Sequence, residues 1–313
     1  MSGLRLFLLG APRIECDGVP LKFATRKNLA LLTYLAVTGE SHTRDALITL
    51  LWPELTPSRA RAGLRRNLST LKKALGGRWL LIDQEIIGLE TVSDYWSDVD
   101  HFHLLLETAQ QDGPKAKPNY AEFEKSLLGA IDLYRGDFLE GFSLRDSPIF
   151  DEWQFYETDG LRNELSKAHE QLIEILKAQS KLEPAIETAR RWLRMNELNE
   201  EAHRQLMQLY ALKGRRYAAI KQYQDCVSLL KEELGVIPEN ETRELSEQIK
   251  MGEIGPREAE ERWKAPEIPA LPRINLPAPT TPFIGRRATL DEIVSRLQDP
   301  NCQLLTLLGP GGR

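Results

Sequence analysis

Apolar positions recur every second residue at the start of the chain, and the period then lengthens to that of a helix. Residues 4–9 predict one strand, and residues 12–16 and 19–23 predict two more around Asp17-Gly18, a two-residue hairpin signal. Thr25 is placed to cap a helix running to about Thr38, with Leu29, Leu32 and Ala36 apolar at helical spacing and Gly39 ending it. Thr43 is placed to cap a second helix over 44–51 that stops at Trp52-Pro53. Thr56-Pro57 opens a third, with proline at the first helical position, and Gly76-Gly77 closes it. Short strands over 79–82 and 86–89 flank the polar turn Asp83-Gln84-Glu85. Strands, three helices and a last hairpin are the winged-helix order.

From about Asp98 to Met251 the pattern is helical and repeats itself. Ala168-His169-x-Gln171-Leu172 returns 34 residues later as Ala202-His203-x-Gln205-Leu206, and the same offset carries Ile175 onto Leu209, Lys181 onto Arg215 and Ala185 onto Ala219. A 34-residue period predicts tetratricopeptide-like helix pairs. Residues 253–282 hold seven prolines and read as an extended linker. Helix and strand signals return over 283–313 and run into Gly309-Pro310-Gly311-Gly312-Arg313. The fold class expected is therefore mainly α: an N-terminal α/β winged helix-turn-helix over 1–92, an all-α tetratricopeptide-like domain over 98–252, the proline-rich linker, and a short C-terminal piece.

Charge changes this picture. The net charge of −5 argues against nucleic acid, but its distribution argues for it. Residues 1–92 carry 13 Lys and Arg against 8 Asp and Glu, while the remainder carries 28 against 38. Three cysteines (Cys16, Cys226 and Cys302) lie far apart with no CxxC spacing, so neither a disulfide framework nor a zinc site is expected. No apolar run has the length of a membrane span or of a signal-peptide core, so a cytoplasmic protein with no membrane partner is expected.

The basic excess concentrates on the third helix. Between Leu55 and Ile82 there are seven basic residues and no acidic one. Leu64, Leu68, Leu71 and Leu75 form one narrow apolar stripe. At about 100° per residue the opposite face is Arg59, Ala62, Arg66, Ser69, Thr70 and Lys73, with Arg65 and Lys72 on one flank and Asn67 on the other. Small and hydroxyl groups let a helix enter a major groove closely, Arg grips guanine edges, and flanking Lys and Arg hold phosphates. A merely solvated helix face would normally mix Glu and Asp among its bases. The candidate DNA-binding residues are Arg59, Arg65, Arg66, Asn67, Ser69, Thr70, Lys72 and Lys73.

At these residues the chain resembles a family. Leu6-Phe7-Leu8-Leu9-Gly10-x-Pro12, Asp17-Gly18, residues 27–35, Leu50-Leu51-Trp52-Pro53 and Ala60-Arg61-x-x-Leu64-Arg65-x-x-Leu68-x-x-Leu71-Lys72-Lys73-Ala74-Leu75-Gly76 resemble the OmpR-type winged helix of the Streptomyces antibiotic regulatory protein family. Asp98-Val99-Asp100-x-Phe102, Tyr134-Arg135-Gly136-Asp137-Phe138-Leu139-Glu140-Gly141, Asn199-Glu200-Glu201-Ala202-His203, residues 210–214 and Glu232-Glu233-Leu234-Gly235-Val236-x-Pro238 are similar to that family's bacterial transcriptional activator domain. The resemblance implies a transcriptional activator that binds double-stranded DNA, with the third helix in the major groove and the last hairpin as wing. It also implies RNA polymerase contact through residues 52–57, and two heads on direct repeats, hence a homodimer on DNA.

Pro282-Phe283-Ile284-Gly285-Arg286 and residues 304–312 resemble the start of a signal-transduction NTPase domain. Gly309, Gly311 and Gly312 supply only the beginning of a phosphate loop, without the Lys and the Ser or Thr it requires. No cofactor and no ATP hydrolysis are expected of this chain, which reads as a fragment or a truncated open reading frame. With the winged helix beginning at the first strand, no receiver domain and no phosphorelay are expected. His101 and His103 gather no further ligand in the sequence, so no metal is expected, and no catalytic triad stands out. Two other readings compete: a tetratricopeptide-like scaffold, and the front of a nucleotide-switched NTPase. Salt-dependent DNA affinity separates the first from a regulator, and the sequence beyond Arg313 separates the second.

Overall fold

The computed structural model describes residues 3–90, 94–111 and 120–255, with Ser295 as one further residue. The head begins with β1 (Leu4–Phe7), β2 (Arg13–Cys16) and β3 (Val19–Pro20), followed by α1 (Arg26–Thr38). It continues through β4 (His42–Thr43), α2 (Arg44–Leu51), α3 (Pro57–Ala74), β5 (Leu80–Ile82), β6 (Ile86–Leu89) and β7 (Tyr95–Ser97). One sheet has the order β3-β2-β1-β7 and the other β4-β6-β5, the last two strands being the wing. The three helices fall where the pattern puts them.

Thr43 caps α2 by accepting from the Ala46 N–H at 3.2 Å. Thr25 departs from expectation: it makes no cap bond and turns its hydroxyl to the Asn67 amide oxygen at 3.0 Å. The turn after α3 needs Gly76 at φ +62° and Gly77 at φ +76°, which side chains rarely tolerate. Strand β7 carries no hairpin signal and was not expected. It enters the first sheet parallel to β1, with Leu4 opposite Tyr95.

The helical domain runs α4 (Asp98–Gln111), α5 (Tyr120–Leu133), α6 (Pro148–Ala178), α7 (Leu182–Met195), α8 (Glu200–Leu212), α9 (Arg216–Glu233) and α10 (Asn240–Met251). Each helix packs on the next through α9, and α10 closes on both α8 and α9. The 34-residue offset is structural. Ala168 and Ala202, Leu172 and Leu206, and Ala185 and Ala219 are buried in pairs, and Lys181 and Arg215 both stand just before the second helix of their unit. His169 and His203 are also both buried. His169 stacks on Trp192 with ring centroids 5.6 Å apart, and its Nδ1 donates to the Leu165 carbonyl at 2.9 Å. Burial lowers its pKa to about 4. The proline-rich linker from residue 256 onward, the truncated NTPase start and its Gly309, Gly311 and Gly312 lie outside the described residues.

Head and helical domain belong to one compact unit, and β1 shows how they join. The strand expected to reach Leu9 ends at Phe7, because the Leu8 and Leu9 N–H groups turn to the buried carboxylate of Asp98 at the start of α4, at 2.7 and 3.1 Å. Arg135 donates to the same carboxylate at 2.9 Å. Burial pushes the Asp98 carboxyl above its usual range, and these N–H groups and the guanidinium oppose that shift. Residues 8–10 then pair with the Asp137-Phe138-Leu139-Glu140 stretch: Gly10 N–H donates to Asp137, Leu139 N–H to Leu8 and Glu140 N–H to Gly10, at 2.9–3.1 Å. Further along, Ser147 donates to the Leu50 carbonyl, Lys27 meets Asp146 at 2.7 Å, and Tyr34 packs edge-on to Trp153.

Candidate nucleic-acid interface

Helix α3 is held from one side only. Leu64, Leu68, Leu71 and Leu75 are all buried, as the stripe predicts, and Ala60 and Gly63 let α3 approach closely. A Cβ on Gly63 would stand 3.1 Å from the Trp52 indole, so that ring sets the distance between α3 and the loop before it. Lys27 covers the same indole, 5.0 Å from its centroid.

The opposite side is open. Arg59, Arg65, Arg66, Ser69, Thr70, Lys72 and Lys73 are exposed. Among the described residues none of the five cations in that set has an ion-pair partner, although 18 ion pairs exist elsewhere. Lys72 and Lys73 lie in the last turn, where the helix dipole favours positive charge. The Thr70 hydroxyl donates to the Arg66 carbonyl at 3.0 Å. Five cations without ion-pair partners among the described residues, with Ser69 and Thr70 exposed beside them, suit a polyanion with a readable groove.

Two bases of the segment and one amide are engaged otherwise. Arg61 lies 3.7 Å from Asp45. Arg78 pairs with Asp17 at 2.7 Å and stacks over Trp79, tying the end of α3 to the first hairpin. Asn67 is half-buried: its amide nitrogen donates to the Gly63 carbonyl at 3.0 Å while its oxygen receives Thr25. The expected DNA-binding role of Asn67 therefore meets a side chain with both ends already bonded inside the head.

Arg44 was missed. Its guanidinium donates to the carbonyls of Asp83 and Gln84 at 2.9 Å, and its N–H to Glu85, so it fixes the wing turn relative to α2. Sequence gives no sign of this, because its partners lie about 40 residues away. A groove of about 510 Å³ opens between α2, α3 and the wing, lined by Thr43, Arg44, Ile48, Arg61, Leu64 and Arg65 among others. His103, one of the two histidines of α4, faces Glu164 at 3.1 Å.

Residues 97–250 match the family described as "Bacterial transcriptional activator domain". The chain is similar to "Regulatory protein AfsR" of Streptomyces coelicolor, 27% identical over 300 residues, which are 93% of this chain and 29% of that protein. It is also similar to "Transcriptional regulatory protein EmbR" of Mycobacterium tuberculosis, 28% identical over 250 residues, 77% of this chain and 62% of that protein. The chain thus spans under a third of one relative and about three-fifths of the other. Its fold superposes on a solved structure of Mycobacterium tuberculosis EmbR in complex with a low-affinity phosphopeptide, with a TM-score of 0.63 and 25% identity over 80% of this chain and 66% of that one. Residues 97–250 thus carry a bacterial transcriptional activator domain, clasped to a winged helix, and the chain is similar to regulators of the Streptomyces antibiotic regulatory protein type.

Proposed function

We propose that this chain is a sequence-specific DNA-binding transcriptional regulator, of the activator kind, acting in the cytoplasm with α3 in the major groove. The observation that carries the reading is the outer face of α3, where Arg59, Arg65, Arg66, Lys72 and Lys73 stand without ion-pair partners among the described residues, beside Ser69 and Thr70. Arg66, opposite the leucine stripe, reads a base edge, and the flanking bases hold phosphate. The loop before α3 presents Pro53, Glu54 and Leu55 outward over the buried Trp52 and is the surface assigned to RNA polymerase. The two relatives, both named as regulatory proteins, support the same reading. It calls for no cofactor and no catalytic step. Among the described residues no helix is long and apolar enough to cross a membrane.

The test is selection of duplexes from a random pool with the full chain, followed by titration of the selected duplex at several salt concentrations. If four of the five cations meet phosphate, log K falls with log salt at a slope of about −3.6. An affinity that does not change with salt, or no enriched sequence, overturns the reading.

A further inference from the structure

A helix about 10–12 Å across fills a major groove about 12 Å wide, so a sugar–phosphate strand runs alongside each of its flanks. Helix α3 is equipped for one of them. Arg65 and Lys72 lie on the flank toward the wing, where Arg65 lines the groove shared with Gln84 and Glu85. The other flank is Gly63, Asn67 and Ala74, which carry no charge. A cation that meets the second strand must come from outside α3.

Cations stand beside that bare flank. Residues 18–39 hold Lys22, Arg26 and Lys27 and no acid. Thr25, bonded to Asn67 at 3.0 Å, seats the start of α1 against α3 there. Lys27 covers the Trp52 indole, which packs on Gly63, and its ammonium meets Asp146 of the helical domain at 2.7 Å. That pair brings in the neighbouring Arg145, on the stretch between α5 and α6. Arg26 lies over Phe142 of the same stretch, 4.8 Å from its centroid. Lys22, Arg26 and Arg145 are exposed, and none has an ion-pair partner among the described residues. Glu140 lines the groove beside Arg26, but its carboxylate lies against Gly136 and pairs with no base among the described residues. Arg26 also sits against its local field: the first turn of α1 holds no acid, and the helix dipole disfavours positive charge at that end. A cation kept where its own fold disfavours it serves something outside the chain.

We propose that Lys22, Arg26 and Arg145 hold the sugar–phosphate strand on the Asn67 side of α3. The helical domain then takes part in DNA contact, directly through Arg145 and indirectly through Phe142 beneath Arg26. The contact is to phosphate, so it sets position and affinity and carries no base preference. This rests on the reading that α3 lies in the major groove. With three more phosphates met, the wild-type slope of log K against log salt steepens from about −3.6 to about −6.3.

The experiment uses the full chain on its selected duplex and on a random duplex of equal length. Four forms are titrated over a salt series: wild type, Arg145→Ala, Arg145→Lys, and a triple variant with Lys22→Ala, Arg26→Ala and Arg145→Ala. At about 0.15 M salt each released counterion is worth roughly fivefold in affinity, and each lost contact makes the slope shallower by about 0.9. Arg145→Ala therefore weakens both duplexes roughly fivefold, and the triple variant roughly a hundredfold, while Arg145→Lys keeps affinity and slope. Uncharged methylphosphonates placed singly along each strand locate the contact. In wild type, neutral positions on both walls of the groove weaken binding; in the triple variant, positions on one wall cease to matter. Thermal melting checks the fold, and should the triple variant melt early, Arg145→Ala against Arg145→Lys decides. Equal affinity and slope in wild type and the alanine variants overturn the proposal and leave the patch to an acidic protein partner. A loss confined to the selected duplex overturns it too, since these residues would then read bases. So does a methylphosphonate pattern that the triple variant leaves unchanged. Wild type that binds duplex while these tests fail leaves the α3 reading standing; wild type that binds no duplex ends both.

Discussion

On the outer face of α3, five exposed cations have no ion-pair partner among the described residues. At the seam between head and helical domain, Asp98, Arg135, Asp137 and Lys27 are each matched, and Asp98 is fully buried. Both regions are rich in charge, yet the seam's charges answer one another and those of α3 answer nothing among the described residues. An ion whose hydrogen-bonding capacity is met within the fold does structural work, and removing its partner exposes a desolvated group. An exposed, unneutralised cluster adds little stability, so its reason lies outside the chain. The seam and the helix face should thus respond to mutation in opposite assays.

The largest effect is expected at the seam. Asp98→Ala leaves two backbone N–H groups and Arg135 without an acceptor, and should lower stability by about 3–5 kcal/mol in urea unfolding. A loss under about 1 kcal/mol would show that the matched charges are incidental and break the comparison.

Next comes acid. The pKa of His169 falls from 6.5 to about 4 in the folded chain. Between these values the unfolded chain binds more protons, so stability is fully present above pH 6.5 and declines as pH falls toward 4, by up to about 3 kcal/mol. His169→Gln, followed by thermal melts across that window, should flatten the decline. A decline of equal size in the variant would place its cause at other groups.

The third prediction crosses to α3. Arg66→Ala should weaken binding to a selected duplex by about 1–3 kcal/mol and to a random duplex by less. Thermal stability should move by no more than about 0.5 kcal/mol. Equal losses on both duplexes would reduce Arg66 to a phosphate contact.

The smallest effect sharpens the boundary. Asn67 lies on α3 yet is bonded like a seam residue, so Asn67→Ala should cost about 1 kcal/mol of stability and leave base preference unchanged. A changed preference would return Asn67 to the reading face.

These differences also mark what the sequence could reveal. The leucine stripe, the helix limits and the open basic face follow from periodicity, which local spacing records completely. The 34-residue helix pairs follow from self-similarity. The seam does not: Asp98 meets Leu8 across 90 residues, and nothing at either end alters the local pattern. The Asp137-Phe138-Leu139-Glu140 stretch could be recognised as a motif, but only the fold shows that it lies against residues 8–10. Strand β7 is three residues long and joins a sheet edge without a turn, so it leaves no alternation to read. Thr25 satisfied every local rule for a cap, and a long-range partner, Asn67, took its hydroxyl instead.

The clasp at residues 8–10 has a practical consequence for anyone recombining regulators. Cutting between the wing and α4 separates β1 from β7, from Asp98 and from the segment that covers Leu8 and Leu9. The fragment released would have an open sheet edge and two buried leucines laid bare, conditions that favour aggregation. A transplantable DNA-reading unit from this chain therefore has no natural end near residue 92. Its smallest workable form includes α4, α5 and the stretch through Ser147. Exchange of specificity is better made by grafting the outer residues of α3 into an intact host than by exchanging whole heads.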